Sequence, residues 1–373
     1  MKKIAIVTSG HFTKDDRLYY KFARSLQKKG HTVVLISSLE NLFSQNGEII
    51  LDSFDSSGFG RKKKSEEFFL KLQKYSPDAV ICSEPFTVFP AYRYKRDENR
   101  NARIIMDVTE WYPENITMKL KGLKKIVSYL ALSLVNFAAT YRADVLTIGE
   151  SSKAVRYKFF RPGIKYKVFG YYPPLELLTD PGKNETGTIT VLYSGHFAEA
   201  RGFFRYLEVI KEYKYRFGED VKFKAIGKFL NAADERKYNH FISQNTEAVP
   251  DIIPWSDYEG YFNALKNSDI CIDLRDKNNF FNRSVPIKIF DYIGSGNPFI
   301  FSDLKAVTEI SELSGCGIYC EPENRDKIIG HLHNLVTDKR LFSQYRNHNL
   351  EMARTKFNWN NVEEEFVSFV LED

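Results

Sequence analysis

One run concentrates the residues suited to chemistry: Asn282-Arg283-Ser284-Val285-Pro286-Ile287-Lys288-Ile289-Phe290-Asp291-Tyr292-Ile293-Gly294-Ser295-Gly296-Asn297-Pro298. A polar loop, a short carboxylate-bearing helix and a glycine turn follow one another, and the turn leads into Phe299-Ile300-Phe301, an apolar run expected of a buried strand. A helix N-terminus near 284 to 286 would offer free backbone N–H groups to an anion. The order suits a ligand carrying phosphate and ribose, and an ordinary loop-helix-strand unit with a solvated Asp291 is the other reading of the same residues. A second candidate is Arg201, a cation between a predicted strand and Gly202, which opens a predicted helix; a surface residue paired with Glu199 is its alternative.

Such residues need strand ends to position them. Residues 3 to 9 read as a strand, Gly10 to Lys14 as a loop, Asp15 to Gly30 as a helix with Leu18, Phe22 and Leu26 on one face, and Thr32 to Ser37 as the next strand. Further strands are predicted at Ala79 to Cys82, Arg103 to Asp107 and Asp144 to Ile148. This alternation argues for a parallel sheet with right-handed crossovers. Ligands bind at the carboxyl ends of such strands, which singles out Gly10 and His11, Ser83 and Glu84, and Asp107 through Glu110. A second series begins near Thr188, with strands at Thr190 to Ser194, Lys222 to Ile226, Asp251 to Ile253, Ile270 to Leu274 and Phe299 to Ser302, and helices at Phe203 to Tyr215 and Tyr258 to Ser268. Between the two series lies a Pro-, Gly- and polar-rich stretch, the best linker candidate.

A chain of 373 residues is long enough for two domains, each with its own core. A net charge of +6, from 54 basic and 48 acidic side chains, is too mild to argue for nucleic acid and suits an anionic substrate or an acidic membrane surface. Cys82, Cys271, Cys316 and Cys320 lack metal-finger or redox-pair spacing and read as reduced, mostly buried thiols. The apolar run Ile4 to Val7 is far shorter than a secretory signal, so a cytoplasmic protein is expected. Ile126 to Tyr141 falls short of the ~20 apolar residues that span a bilayer, so no transmembrane helix is expected. Arg61-Lys62-Lys63-Lys64 reads as a solvated loop. Lys119 to Lys125, with four lysines, precedes Ile126, Val127, Leu130, Leu134 and Val135. That pattern reads first as a core helix with solvated lysines at its start, and alternatively as a helix resting on an anionic leaflet.

The run ending at Pro298 resembles the donor-binding motif of family 4 glycosyltransferases of the GT-B fold, P-x-K-x-x-E-Y followed by a small residue, Gly and Pro. Asp291 stands at the Glu position, and Arg283 where many members carry a second Glu. Thr13-Lys14-Asp15-Asp16-Arg17 with Gly30-His31-Thr32-Val33 is similar to the D-x-R and G-H-x-V pair that opens many members. Met106 to Pro113 resembles their D-x-H-E-x-Y-P segment, with Thr109 at the His position. Tyr193 to Gly202 resembles the G-R-x(n)-K-G segment, with His196 and Arg201 at the two cation positions, and Phe357-Asn358-Trp359 resembles the F-x-W before a returning C-terminal helix. The resemblance covers nearly the whole chain.

It implies an α/β GT-B protein, two Rossmann-like domains with parallel sheets facing a central cleft: an acceptor-side domain at 1–170, a linker at 171–187, a nucleotide-sugar domain at 188–356 and a returning helix at 357–373. It also implies a retaining, metal-independent transferase of the hexosyltransferase type. The donor is a nucleotide sugar, UDP-sugar favoured, acting as co-substrate with no other cofactor; the sequence has no D-x-D metal motif. The acceptor is a glycan or polyprenyl-linked glycan of surface polysaccharide biosynthesis, and the protein is cytoplasmic, with a possible peripheral place on the inner face of the cell membrane. Carried over residue by residue, Arg201, Thr109, Glu110 and Lys228 are catalytic, with Lys228 able to take the role of His196. Gly10, His196, Gly202, Ile253, Trp255, Asn282, Arg283, Ser284, Lys288 and Asp291 bind the donor, Asp291 through the ribose hydroxyls, Ile253 to Trp255 at the base and Asn282 to Ser284 through their backbone. Two rivals share the fold: a nucleotide-sugar epimerase, and a non-catalytic nucleotide-sugar-binding subunit.

Overall fold

The computed structural model describes residues 1–178, 187–218 and 221–372. The chain forms two compact units, Met1–Tyr171 with Trp359–Asp373, and Tyr172–Asn358. Of the linker expected at 171–187, residues 179–186 lie outside the described residues.

The first unit holds β1 (Lys3–Thr8), β2 (Thr32–Ser37), β3 (Phe43–Asn46), β4 (Ile49–Asp52), β5 (Ala79–Cys82), β6 (Arg103–Val108), β7 (Val145–Ile148) and β8 (Lys165–Val168), in the order β3-β4-β2-β1-β5-β6-β7-β8. All pairs are parallel except β3 with β4. Ile4 to Val7 and Val33 to Ile36 are buried throughout, as parallel strands covered on both faces require. The β3–β4 hairpin escaped the sequence reading because β3 is exposed along its whole length and gives no apolar period.

Three local readings are corrected. The helix expected from Asp15 to Gly30 is a π-helix over Leu18–Ala23 followed by an α-helix over Arg24–Lys28, still with Leu18, Phe22 and Leu26 buried. Arg61 to Lys64 is the first turn of the helix Arg61–Tyr75, held by buried Phe68, Phe69 and Leu72. The lysine-led segment forms the helix Gly122–Arg142, and it is not a core helix, since its buried residues are Asn136, Ala139 and Thr140. It is also the one helix among the described residues long and apolar enough, by length and composition, to cross a membrane. The last helix, Asn360–Leu371, packs on the first unit, with Phe366 stacked 4.2 Å from Phe22 and the Trp359 indole N–H donating to Ser25 at 2.7 Å.

The second unit holds β9 (Ile189–His196), β10 (Val221–Lys228), β11 (Asp251–Pro254), β12 (Ile270–Asp273), β13 (Phe299–Ser302) and β14 (Ile318–Cys320), parallel throughout in the order β11-β10-β9-β12-β13-β14. The helix Phe203–Phe217 covers one face through Phe203, Tyr206, Leu207 and Ile210. All four cysteines are buried and free. In each sheet the order reverses beside its first strand, between β1 and β5 in one unit and between β9 and β12 in the other. Crevices open at such reversals because the crossovers on either side leave in opposite directions.

Candidate anion-binding site at the second strand reversal

Between β9 and β12 the backbones after the two strands nearly touch. Gly202 has φ +82°, and a Cβ there would overlap the Leu274 carbonyl, so only glycine permits this approach. The turn just before Gly202 carries Arg201, whose guanidinium lies 4.8 Å from the Phe281 ring centroid. β12 ends in Asp273, fully buried, and Arg275 follows it. Arg275 Nε donates to Asp273 Oδ1 at 2.9 Å while its second arm reaches Oδ2, and its guanidinium is stacked near Phe281 and Phe301.

Lys288 enters from the helix Ile287–Gly294. Its ammonium donates to Asp273 Oδ2 at 3.0 Å and to the Ser194 carbonyl, passing beneath Gly195, where a Cβ would lie 2.5 Å from Nζ. Burial raises and the Arg275 and Lys288 cations lower the Asp273 carboxyl, leaving it at about 2. Burial pushes the Lys288 ammonium down; Asp273 opposes that and the Arg275 and Arg201 charges add to it, bringing it to about 8. Arg275 and Lys288 thus share the Asp273 carboxylate, Arg201 lies near enough to Lys288 to lower its ammonium further, and the local field favours an added anion.

The neighbouring strand ends supply a flat surface. His196 at the end of β9 stacks toward Trp255, just after β11, with ring centroids 6.1 Å apart at 30°, and Lys228 at the end of β10 places Nζ 5.5 Å from the Trp255 ring. Trp255 is 54% exposed, and Ile253 precedes it within β11. An exposed indole of this kind can stack a planar base.

The structure therefore brings His196, Arg201, Gly202, Lys228, Trp255 and Lys288 to one set of strand ends. It employs other expected residues differently. The amides of Asn282, Arg283 and Ser284 donate within their own turn, to Asn278, Phe280 and Phe281, while the helix Ile287–Gly294 starts from its N-cap Pro286, at the end of the expected 284 to 286. The Asn282 side chain ties Lys277 to Lys305, and the Ser284 hydroxyl donates to Phe280. Asp291 is only 2% exposed and accepts the Tyr258 hydroxyl at 2.7 Å. Asp273, Arg275 and Tyr258 were missed in the sequence; the signal was a charge on each side of Leu274 at the end of an apolar strand, meaningful only once β12 is known to flank the reversal.

Gly10, Thr109 and Glu110 belong to the first unit. There the reversal is closed by Glu84, whose carboxylate accepts from Thr8 Oγ1 (2.8 Å), Ser9 N (2.8 Å) and Gly10 N (2.9 Å). His11 stands 3.0 Å from Asp15; burial lowers its imidazole, but Asp15, Glu84 and Asp16 raise it to about 10. Asp107 is buried against Arg17, with bonds of 2.8 and 2.9 Å, and the Thr147 hydroxyl. The Thr109 carbonyl accepts from Lys153 and Tyr171, and Glu110 accepts from Asn115 at 2.6 Å. Among the described residues no three His, Cys, Asp or Glu side chains gather as a metal site.

No protein-family model matches the sequence, and no curated protein does. Solved structures match over the full length. Sucrose-phosphate synthase from Thermosynechococcus elongatus has a TM-score of 0.75 at 11% identity, over 99% of this chain and 98% of that one. HepE from Anabaena in complex with UDP-glucose gives 0.72 at 10% identity over 99% of each chain. A glycosyltransferase from Rickettsia africae gives 0.69 at 14% identity, over 100% of this chain and 99% of that one. At these identities the likeness concerns the fold, and the fold is GT-B, the two-unit α/β architecture of glycosyltransferases.

Proposed function

We propose that this chain is a retaining glycosyltransferase of the family 4 type that moves a hexosyl group from a UDP-sugar to a glycan or polyprenyl-linked glycan acceptor of surface polysaccharide, in the cytoplasm. The observation that carries the reading is the pair Arg275 and Lys288 on the Asp273 carboxylate at the strand reversal, with Arg201 on the adjoining turn close enough to act on the Lys288 ammonium. Sugar transfer breaks the bond from the anomeric carbon to the diphosphate oxygen. It forms a bond from that carbon to the acceptor oxygen on the same face, and the acceptor proton passes to the departing phosphate. Negative charge grows on the diphosphate as the bond breaks, and fixed cations stabilise that charge most where water is excluded. At about 4 Å and an effective dielectric of ~20 one such pair is worth about 4 kcal/mol, roughly three decades of rate if felt only in the transition state. Arg201, on the turn, is the cation best placed to follow the leaving group, and no metal is required in this reading.

The Trp255 ring, flanked by His196 and Lys228, supports a base-stacking role, and the solved HepE complex with UDP-glucose supports UDP as the first nucleotide to try. Asp291 is the proposed ribose acceptor on the motif resemblance, its carboxylate already accepting the Tyr258 hydroxyl. The four buried thiols suit a reducing compartment. A thermal-shift comparison of UDP, GDP, ADP and dTDP tests the donor assignment. UDP at 100 times its dissociation constant should stabilise the fold by about 2.7 kcal/mol, and UDP-sugar with acceptor should then release UDP. No shift with any nucleoside diphosphate would remove the reading, and conversion of donor to an isomeric sugar nucleotide without acceptor would replace transfer by epimerisation.

A further inference from the structure

A surface in the first unit is built the wrong way round for a soluble helix. In the helix Gly122–Arg142, Leu123, Ile126, Val127, Leu130, Leu134, Phe137 and Tyr141 are all exposed, from 41% at Phe137 to 75% at Leu123. At 3.6 residues per turn these seven positions fall in one stripe roughly 100° wide. The fully buried residues of this helix are instead polar or small, with Tyr129, Leu132 and Val135 half-buried beside them. Asn136 donates to the Tyr112 carbonyl and the Tyr157 hydroxyl at 3.3 Å each, while Ala139 and Thr140 complete the buried side. Ordinary amphipathic helices put their apolar stripe inward.

The helix Ala154–Phe160 continues the apolar surface. Phe160 packs edge-on to Phe137 at 5.7 Å, and Val155 and Phe159, one turn apart, are exposed, Phe159 at 83%. Along these two segments the charge has one sign. No acidic residue occurs between Glu114 and Asp144, a span holding Lys119, Lys121, Lys124, Lys125 and Arg142, and none between Glu150 and Glu176, although the whole chain is nearly balanced. An apolar stripe with cationic flanks and no carboxylate matches a leaflet whose headgroups are anionic and whose interior is hydrocarbon.

We infer that the outward face of Gly122–Arg142, together with Val155 and Phe159, docks this protein on an anionic lipid leaflet. The stripe lies in the interface with its polar side kept on the protein, so the helix rests on the bilayer and does not cross it. The inference stands apart from the sugar-transfer reading, since neither a nucleotide nor a sugar is needed to observe it.

Flotation with vesicles of phosphatidylglycerol and phosphatidylcholine, against phosphatidylcholine alone, tests it with the full chain. The wild-type protein should float with the anionic vesicles, and raising the salt should release it. Lys121→Glu/Lys124→Glu/Lys125→Glu should lower the bound fraction by about tenfold or more, because each cation near the surface contributes separately. Leu130→Ser/Leu134→Ser should lower it at any salt, with an unchanged thermal midpoint because both residues are exposed. Absence of binding to anionic vesicles, or equal binding to neutral ones, would overturn the inference. A dimer in sedimentation velocity that dissociates in the leucine variant, with no vesicle binding, would assign the face to a second copy instead.

Discussion

The same crevice occurs twice in this chain and is filled in opposite ways. Between β1 and β5 the Glu84 carboxylate already occupies the anion position, gathering the Thr8 hydroxyl and the amides of Ser9 and Gly10. Even the cation nearby, His11, is held by Asp15. Between β9 and β12 two cations, Arg275 and Lys288, share the Asp273 carboxylate, and glycine rather than a side chain lines the turn. Topology alone makes a crevice, and the side chain that follows the strand decides whether an outside anion can enter it. One unit fills its reversal with its own carboxylate; at the other, cations and a glycine turn stand in the corresponding place.

The largest test of that contrast is Arg201→Ala, which should lower kcat by roughly two to three decades if a contact of about 3 to 4 kcal/mol is made mainly in the transition state. Arg201→Lys should recover part of the loss, since a point charge remains while the planar fork does not. Unchanged turnover in a folded Arg201→Ala protein would move the role to Arg275, Lys288, Lys228 or His196.

Next in size is a pair of glycine substitutions measured by denaturant unfolding. Gly202→Ala places a Cβ against the Leu274 carbonyl at a positive φ, so about 3 kcal/mol of stability should be lost. Gly10→Ala meets only the end of the Glu84 side chain, at 2.9 Å, and that carboxylate can swing aside, so the loss should be about 1 kcal/mol. Equal losses would mean that the second turn is not held by backbone contact.

The smallest effect is a pH dependence. Lys288 titrates near 8 in the folded protein, and a diphosphate prefers the charged ammonium. UDP affinity should therefore fall as pH rises through 8, by up to about tenfold one unit above it. Stability should move the other way. Between about 8 and the ordinary lysine value the unfolded chain binds more protons than the folded one, so unfolding becomes harder as pH rises. Calorimetric titrations of the wild type and Lys288→Met separate the two, because the variant should lose the slope in affinity.

Much of the scaffold was legible from patterning. Buried strands such as Ile4 to Val7 and Phe299 to Phe301 are continuous apolar runs, and Phe203, Tyr206, Leu207 and Ile210 mark a helix by period alone. The exposed β3 and the three-residue β14 were invisible because neither carries a period. Of the residues gathered at the second reversal, those that a motif names, Arg201, Gly202 and Lys288, were legible as candidates. Arg275 and Asp273 were not, because their meaning comes from β12 lying beside β9, a pairing between segments far apart in sequence. The lysine-led helix taught the opposite lesson: its apolar period is real, but period cannot say which side faces the protein, and here Asn136, Ala139 and Thr140 do.

Amide hydrogen exchange with and without UDP tests most directly the claim that the second reversal, and not the first, receives the diphosphate. UDP should slow exchange in the turn 197–204 and in the segment 274–289 while leaving amides 8–11, already bonded around Glu84, unchanged. Protection confined to 8–11, with none at 197–204, would contradict the account.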